Sequence, residues 1–189
     1  VKVHFITSRI TPENDIETLR RITSSIRHAG HAIADDWLEE AYKRDSDPKS
    51  KPVDWQEIFK LNIATIAKSD VVVAEGTSDS FAIGYQVAAA LHQKKPVLLL
   101  RKKEAEQNAF VTGVADDWMK RYEYTEETLD DIIKKFLSDN DISTKDMRFN
   151  FFIDRSIYNY LRWAALKTGK TKAEVLRELV NREIEDKEY

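Results

Sequence analysis

The sequence predicts a three-layer α/β sandwich on a five-stranded parallel sheet, followed by a small module of one strand and two helices. Three observations predict it. Over residues 1–137, short apolar runs alternate with stretches whose apolar residues recur every three or four positions, the grammar of strand–helix–strand crossovers. The runs VVVA and VLLL are apolar throughout, as strands covered by helices on both faces must be. The polar stretch SDNDISTKD at residues 138–146 then breaks the pattern and reads as a linker to a second domain at residues 147–189.

The elements follow in order. Residues 1–6 (VKVHFI) form a strand, residues 7–14 a polar turn, and Ile16, Leu19, Ile22 and Ile26 the apolar stripe of a helix that Gly30 stops. Residues 31–34 are a short strand. A helix opens at Asp54 and places Trp55, Ile58, Phe59, Ile63 and Ile66 on or near one face. Residues 70–74 are a strand, 83–92 a helix, 96–100 a strand, 106–112 a short helix, 120–124 an edge strand and 126–137 a helix with Leu129, Ile132, Ile133 and Phe136 inward. Beyond the linker, residues 148–153 alternate, with Phe149, Phe151 and Ile153 on one face and Arg148, Asn150 and Phe152 on the other. Asp154 caps a helix carrying Ile157, Tyr160, Leu161, Ala164 and Ala165, which ends at Gly169. Thr171 and Glu174 make a capping box for a final helix with Val175, Leu176, Leu179, Val180 and Ile184. So short a module buries too little apolar surface by itself, and self-association is the expected remedy.

Composition narrows the chemistry. The chain has 189 residues, 42% hydrophobic and 33% charged, and no cysteine, which excludes a disulfide scaffold, thiolate catalysis and cysteine-ligated metal. His4, His28, His31 and His92 lack the spacing of a zinc-binding helix, so neither a metal nor a cofactor is expected. No apolar run approaches ~18 residues, no basic-then-apolar leader opens the sequence, and a cytoplasmic location away from membranes is the expectation. No Gly-rich triphosphate or dinucleotide loop is present. The net charge of −3 is uneven: residues 1–144 carry 20 basic and 25 acidic side chains, residues 145–189 carry 10 and 8.

In an open parallel sheet, ligands bind at the carboxyl ends of the strands, so residues 7–11, 75–84 and 101–108 are the loops of interest. The segment SDVVVAEGTSDSFAIGYQVAAALHQKKPVLLL resembles the core of the nucleoside 2-deoxyribosyltransferase superfamily, and especially its 2'-deoxynucleoside 5'-phosphate N-hydrolase branch. The likeness spans residues 2–137 and includes HFITSRI and NAFVTGVA. It implies a flavodoxin/Rossmann-like sheet and cleavage of a base–deoxyribose bond, with a glutamate after Gly-Tyr at the anomeric carbon and a helix aspartate beside it. Here Gly84-Tyr85 is followed by Gln86, the aspartate position holds Asn62, and an aromatic hydroxyl of the first strand falls on His4. An amide keeps the shape of a carboxylate but is neither nucleophile nor base at neutral pH. The two losses together point to a domain that binds without cleaving; the alternative is activity through Glu75 or Asp79 in the neighbouring loop.

The same resemblance implies phosphate contacts for Ser78 and Ser80 with the following helix N-terminus, although both also suit turn and cap positions. Ser8 and Arg9 are further phosphate candidates. Asn108 falls near a serine that, in the hydrolase branch, reaches into the neighbouring subunit's pocket. Trp37, Tyr42 and Trp55 read as core aromatics before they read as base-stacking ones.

The segment RFNFFIDRSIYNYLRWAALKTGKTKAEVLRELVNREIEDKEY resembles a ribbon-helix-helix domain. That implies two chains pairing strands into a ribbon over a shared four-helix core, the ribbon entering the DNA major groove. Arg148, Asn150 and Phe152 would then face the bases, and Thr171 and Lys172 the phosphates, with Phe152 better suited to a protein contact. The functional expectation is a homodimer that binds a nucleotide or nucleoside without cleaving it and acts as a nucleotide-responsive, duplex-DNA-binding regulator. The alternative is an N-glycosidase or deoxyribosyltransferase on deoxynucleosides or their monophosphates, its C-terminal domain serving oligomerisation alone.

Overall fold

A computed structural model describes residues 1–8, 16–47, 49, 51–105, 113–114, 116–141 and 150–187. It divides into two compact units, Val1–Ser143 and Thr144–Tyr189.

In the first unit the strands are β1 (Lys2–Thr7), β2 (Ala32–Ile33), β3 (Val71–Glu75), β4 (Val97–Lys102) and β5 (Met119–Tyr124). The helices are α1 (Ile16–His28), α2 (Leu38–Ser46), α3 (Trp55–Lys68), α4 (Phe81–His92) and α5 (Leu129–Asp139). The five strands form one sheet in the order β2-β1-β3-β4-β5, every pairing parallel. The predicted α/β sandwich is therefore observed. Strand order reverses between β1 and β3, which opens a crevice at their carboxyl ends.

Side-chain alternation sorts the core into two layers. Val3, Phe5, Val71, Val73, Leu98 and Leu100 pack with α1 and α5. Ile6, Val72, Ala74, Val97 and Leu99 pack with Ile66 of α3 and with Ile83, Val87 and Ala90 of α4. Gly30 takes a left-handed φ of 86° just past α1, the conformation that a glycine stop supplies. Asp54 caps α3 by accepting from the Gln56 and Glu57 amides.

Helix α2 has no counterpart in the sequence reading. Its charged pattern LEEAYKRDS offers only Leu38 as a fully buried residue, too little for a periodic signal. The expected apolar stripe of α3 also holds only in part: Ile66 is buried, while Trp55 is 60% exposed and Phe59 is exposed. Trp37 does pack, stacking on Phe5 at 6.4 Å and donating its indole N–H to the Phe5 carbonyl. Tyr42 lies beneath the Arg20 guanidinium at 5.2 Å. The expected helix at residues 106–112 lies outside the described residues, as does most of the linker.

The second unit contains α6 (Arg155–Thr168) and α7 (Lys172–Asp186). Asp154 accepts from the Ile157 amide, Gly169 is left-handed, and the Thr171–Glu174 capping box is fully formed. Leu161, Ala164 and Val175 are its buried core. Residues 150–153, expected as a strand, belong to none. A strand is defined by the backbone it pairs with, and no described strand pairs with this segment. The C-terminal helices are present; the ribbon-helix-helix arrangement is not shown.

Candidate functional site

The crevice is floored by β1 and β3 and walled by α3 and α4. His4 points from β1 into the α3/α4 layer, where it is 1% exposed. Its Nε2 lies 3.5 Å from the Gln86 Oε1, and the Gln86 amide nitrogen donates along α4 to the Ala82 carbonyl at 3.3 Å. With the amide oxygen facing the ring, Nε2 is the protonated nitrogen of a neutral imidazole. Burial pushes its pKa down, against a weaker upward pull from Gln86. Nδ1 is buried and unpartnered among the described residues. The floor beside position 86 is thus uncharged.

Asn62 is half-buried on α3, three residues beyond Phe59 on the same helical face. Phe59 meets Tyr85 at 5.5 Å between ring centres, and Tyr85 meets Phe81 at 6.5 Å. Phe81 is 90% exposed. These three rings form an aromatic rim next to Gln86 that the sequence does not single out; it raises only Trp37, Tyr42 and Trp55 as stacking candidates, and reads those first as core aromatics. The available signal was their position: Phe81 directly follows Ser80, and Tyr85 directly precedes Gln86.

Ser78 and Ser80 are half-buried and Asp79 is exposed in the β3–α4 loop. Ser80 occupies the N-cap position of α4 without a side-chain capping bond, so its hydroxyl is not spent on the helix. The first-turn amides of α4 open toward the crevice, as anion-binding helix ends do. A side chain at Gly84 would meet nothing within 4 Å; no contact in this chain requires glycine there. Ser8 is half-buried just after β1. Arg9, Asn108 and Arg148 lie outside the described residues.

Glu75 requires correction as a replacement carboxylate for position 86. It follows Val71 and Val73 in parity, so its side chain leaves β3 on the α1/α5 face, opposite His4 and Gln86. There it is fully buried and accepts from the Tyr124 hydroxyl at 3.0 Å and from the Thr77 hydroxyl. Burial pushes its pKa up; the bonds from Thr77 and Tyr124 oppose this.

The residues expected to read DNA are not assembled into a reading face. Asn150 is exposed and Phe152 is 106% exposed, both outside any strand. The Thr171 hydroxyl is bonded within the capping box, and the Lys172 ammonium lies over the Tyr158 ring at 4.6 Å. Among the described residues no His, Asp or Glu cluster could hold a metal ion, and no helix is long and apolar enough to cross a membrane.

A parallel sheet whose switch-point crevice meets a Ser-rich loop and a Gly-Tyr helix defines an open α/β domain of the doubly wound kind. No family model matches the chain, but curated relatives do. A Methanosarcina mazei protein named as a 2'-deoxynucleoside 5'-phosphate N-hydrolase is 30% identical over 128 residues, covering 65% of this chain and 74% of the relative. A mouse (Mus musculus) protein named 5-hydroxymethyl-dUMP N-hydrolase is 26% identical over 139 residues, covering 71% and 78%. A solved structure of a conserved Enterococcus faecalis protein shares the fold with a TM-score of 0.50 at 18% identity, covering 71% of this chain and 98% of its own. The chain belongs to the 2'-deoxynucleoside 5'-phosphate N-hydrolase family. The relatives named as hydrolases overturn the expectation of a non-catalytic, DNA-binding regulator.

Proposed function

We propose that the α/β unit hydrolyses the N-glycosidic bond of a 2'-deoxynucleoside 5'-phosphate. The observation that carries this is the crevice itself, where the unspent Ser80 hydroxyl and the α4 N-terminus lie on the same helix as the Gly84-Tyr85-Gln86 wall in a chain related to N-hydrolases. The 5'-phosphate sits against Ser8, Ser78, Ser80 and the first-turn amides of α4. The base lies against the aromatic rim of Phe81 and Tyr85, and the sugar beside Gln86 and Asn62.

An amide at position 86 forms no covalent glycosyl ester, so the reaction runs by direct attack of water. The C1'–N bond breaks with its electrons going to the base, water adds to C1', and its proton leaves with the base, giving 2-deoxyribose 5-phosphate and free base. Asp79, exposed in the loop before α4, supplies the negative charge that an oxocarbenium-like transition state needs. Gln86 and Asn62 orient the sugar by hydrogen bonds.

The test is base release from the four deoxynucleoside 5'-monophosphates, followed chromatographically. Release is expected from the wild type and is reduced about a hundredfold in Asp79→Asn. Absence of release from all four would overturn the reading.

The C-terminal unit serves self-association. Ten of its large apolar side chains, Phe152 and Trp163 among them, are exposed against a core of three buried residues. Their exposed area is on the order of 1,000 Å², enough for one side of a stable dimer. Sedimentation is expected to show a dimer that Trp163→Glu dissociates; a wild-type monomer at micromolar concentration would overturn this.

A further inference from the structure

Glu75 is the only buried carboxylate among the described residues, and its neighbours on the same face of β3, Val71 and Val73, show what that layer otherwise prefers. A valine or leucine there would avoid the desolvation that a carboxylate incurs. The bonds that offset this converge on the loop. The Thr77 amide lies 3.3 Å from each carboxylate oxygen, and the Thr77 hydroxyl donates to Oε1. That same hydroxyl accepts from the Lys102 amide at 2.9 Å, and the Gly76 amide donates to the Leu100 carbonyl at 2.9 Å. The Tyr124 hydroxyl donates to the same Oε1 at 3.0 Å. Gly76 is pressed so close to β4 that a Cβ would stand 2.8 Å from the Leu99 Cδ1. The backbone at residues 76–77 is thereby tied to β4 and β5, immediately before Ser78, Asp79 and Ser80.

We infer that Glu75 is a positioning residue: through Thr77 it fixes the β3–α4 loop in the conformation that receives the substrate's 5'-phosphate. It acts from the far face of the sheet and touches no substrate. The ligand's identity rests on the hydrolase reading above; the clamp itself rests on these bonds alone.

The full chain carrying Glu75→Gln tests it, because an amide oxygen that keeps both hydroxyl bonds at the Oε1 position turns the NH2 toward the Thr77 amide, a donor facing a donor. Two measurements are made. Hydrogen exchange at the Thr77 and Lys102 amides is expected to accelerate about tenfold while exchange in β1 is unchanged. Calorimetric Kd for a deoxynucleoside 5'-monophosphate is expected to rise about tenfold, with Kd for the unphosphorylated deoxynucleoside unchanged. Tyr124→Phe, which leaves the Thr77 donors in place, gives the same pattern at smaller amplitude and serves if Glu75→Gln does not fold.

Unchanged exchange at both amides would overturn the clamp. Equal weakening of both ligands would overturn its assignment to the phosphate. A wild type that releases no base would sink the hydrolase reading instead, leaving the exchange readout to judge Glu75.

Discussion

The two faces of the sheet end differently at the crevice. On the α3/α4 face, β1 delivers His4 to an uncharged contact with Gln86. On the α1/α5 face, β3 delivers Glu75 to a closed set of donors from Thr77 and Tyr124. Both groups are buried, and burial drives each toward neutrality, which moves the two pKa values in opposite directions. The difference separates two tasks. On one face an amide stands beside a buried, uncharged imidazole; on the other a buried carboxylate is bonded to the loop backbone and to β5.

The largest expected effect comes from placing a carboxylate on the α3/α4 side. Gln86→Glu should raise base release from a deoxynucleoside 5'-monophosphate at least about a hundredfold, the usual scale for a positioned carboxylate. A rate equal to the wild type would break the comparison, because position 86 would then be chemically idle.

The pH dependence of stability sharpens it. His4 is held below its ordinary 6.5, so as pH falls the unfolded chain takes up the proton first. The stability it lends is complete above 6.5 and drains as pH drops toward the folded value. Glu75 is held above its ordinary 4.5, so its contribution is complete below 4.5 and is lost as pH rises through the folded value. Between pH 7 and 5, His4→Phe should flatten the acid-side loss in thermal unfolding relative to wild type. Glu75→Gln should change the slope in the opposite sense. Slopes of the same sign would contradict the burial assigned to one of the two.

The smallest effect is steric. Gly76→Ala places a Cβ against Leu99, a flexible side chain on the His4 face, and should cost about 1 kcal/mol in denaturant unfolding. A neutral result would mean that the Leu99 side chain turns aside without cost.

Most of the fold was legible because parallel strands and amphipathic helices write their burial directly into sequence. Val71 to Ala74 could hardly be anything but a central strand, and Thr171 with Glu174 announced a capping box that is fully formed. Helix α2 was not legible, since a nine-residue helix with one fully buried side chain has no period to read. The facing of Glu75 was misread by parity. Glu75 is adjacent in sequence to the crevice loop, but a strand sends successive side chains to opposite faces, and one residue decides which side a carboxylate serves. The pairing of Glu75 with Tyr124 spans 49 positions and left no local trace. Nor did residues 150–153 reveal that a strand-like alternation would find no described strand to pair with.

The three-residue core of the C-terminal unit has a calorimetric consequence. Enthalpy and heat capacity of unfolding scale with the surface buried, so a helix pair held by Leu161, Ala164 and Val175 carries too little of either for a sharp transition. In dilute chain, the α/β unit should melt as one narrow peak while α6 and α7 lose helicity across tens of degrees. Raising the protein concentration should gather that diffuse loss into a second peak, whose midpoint climbs with the logarithm of concentration.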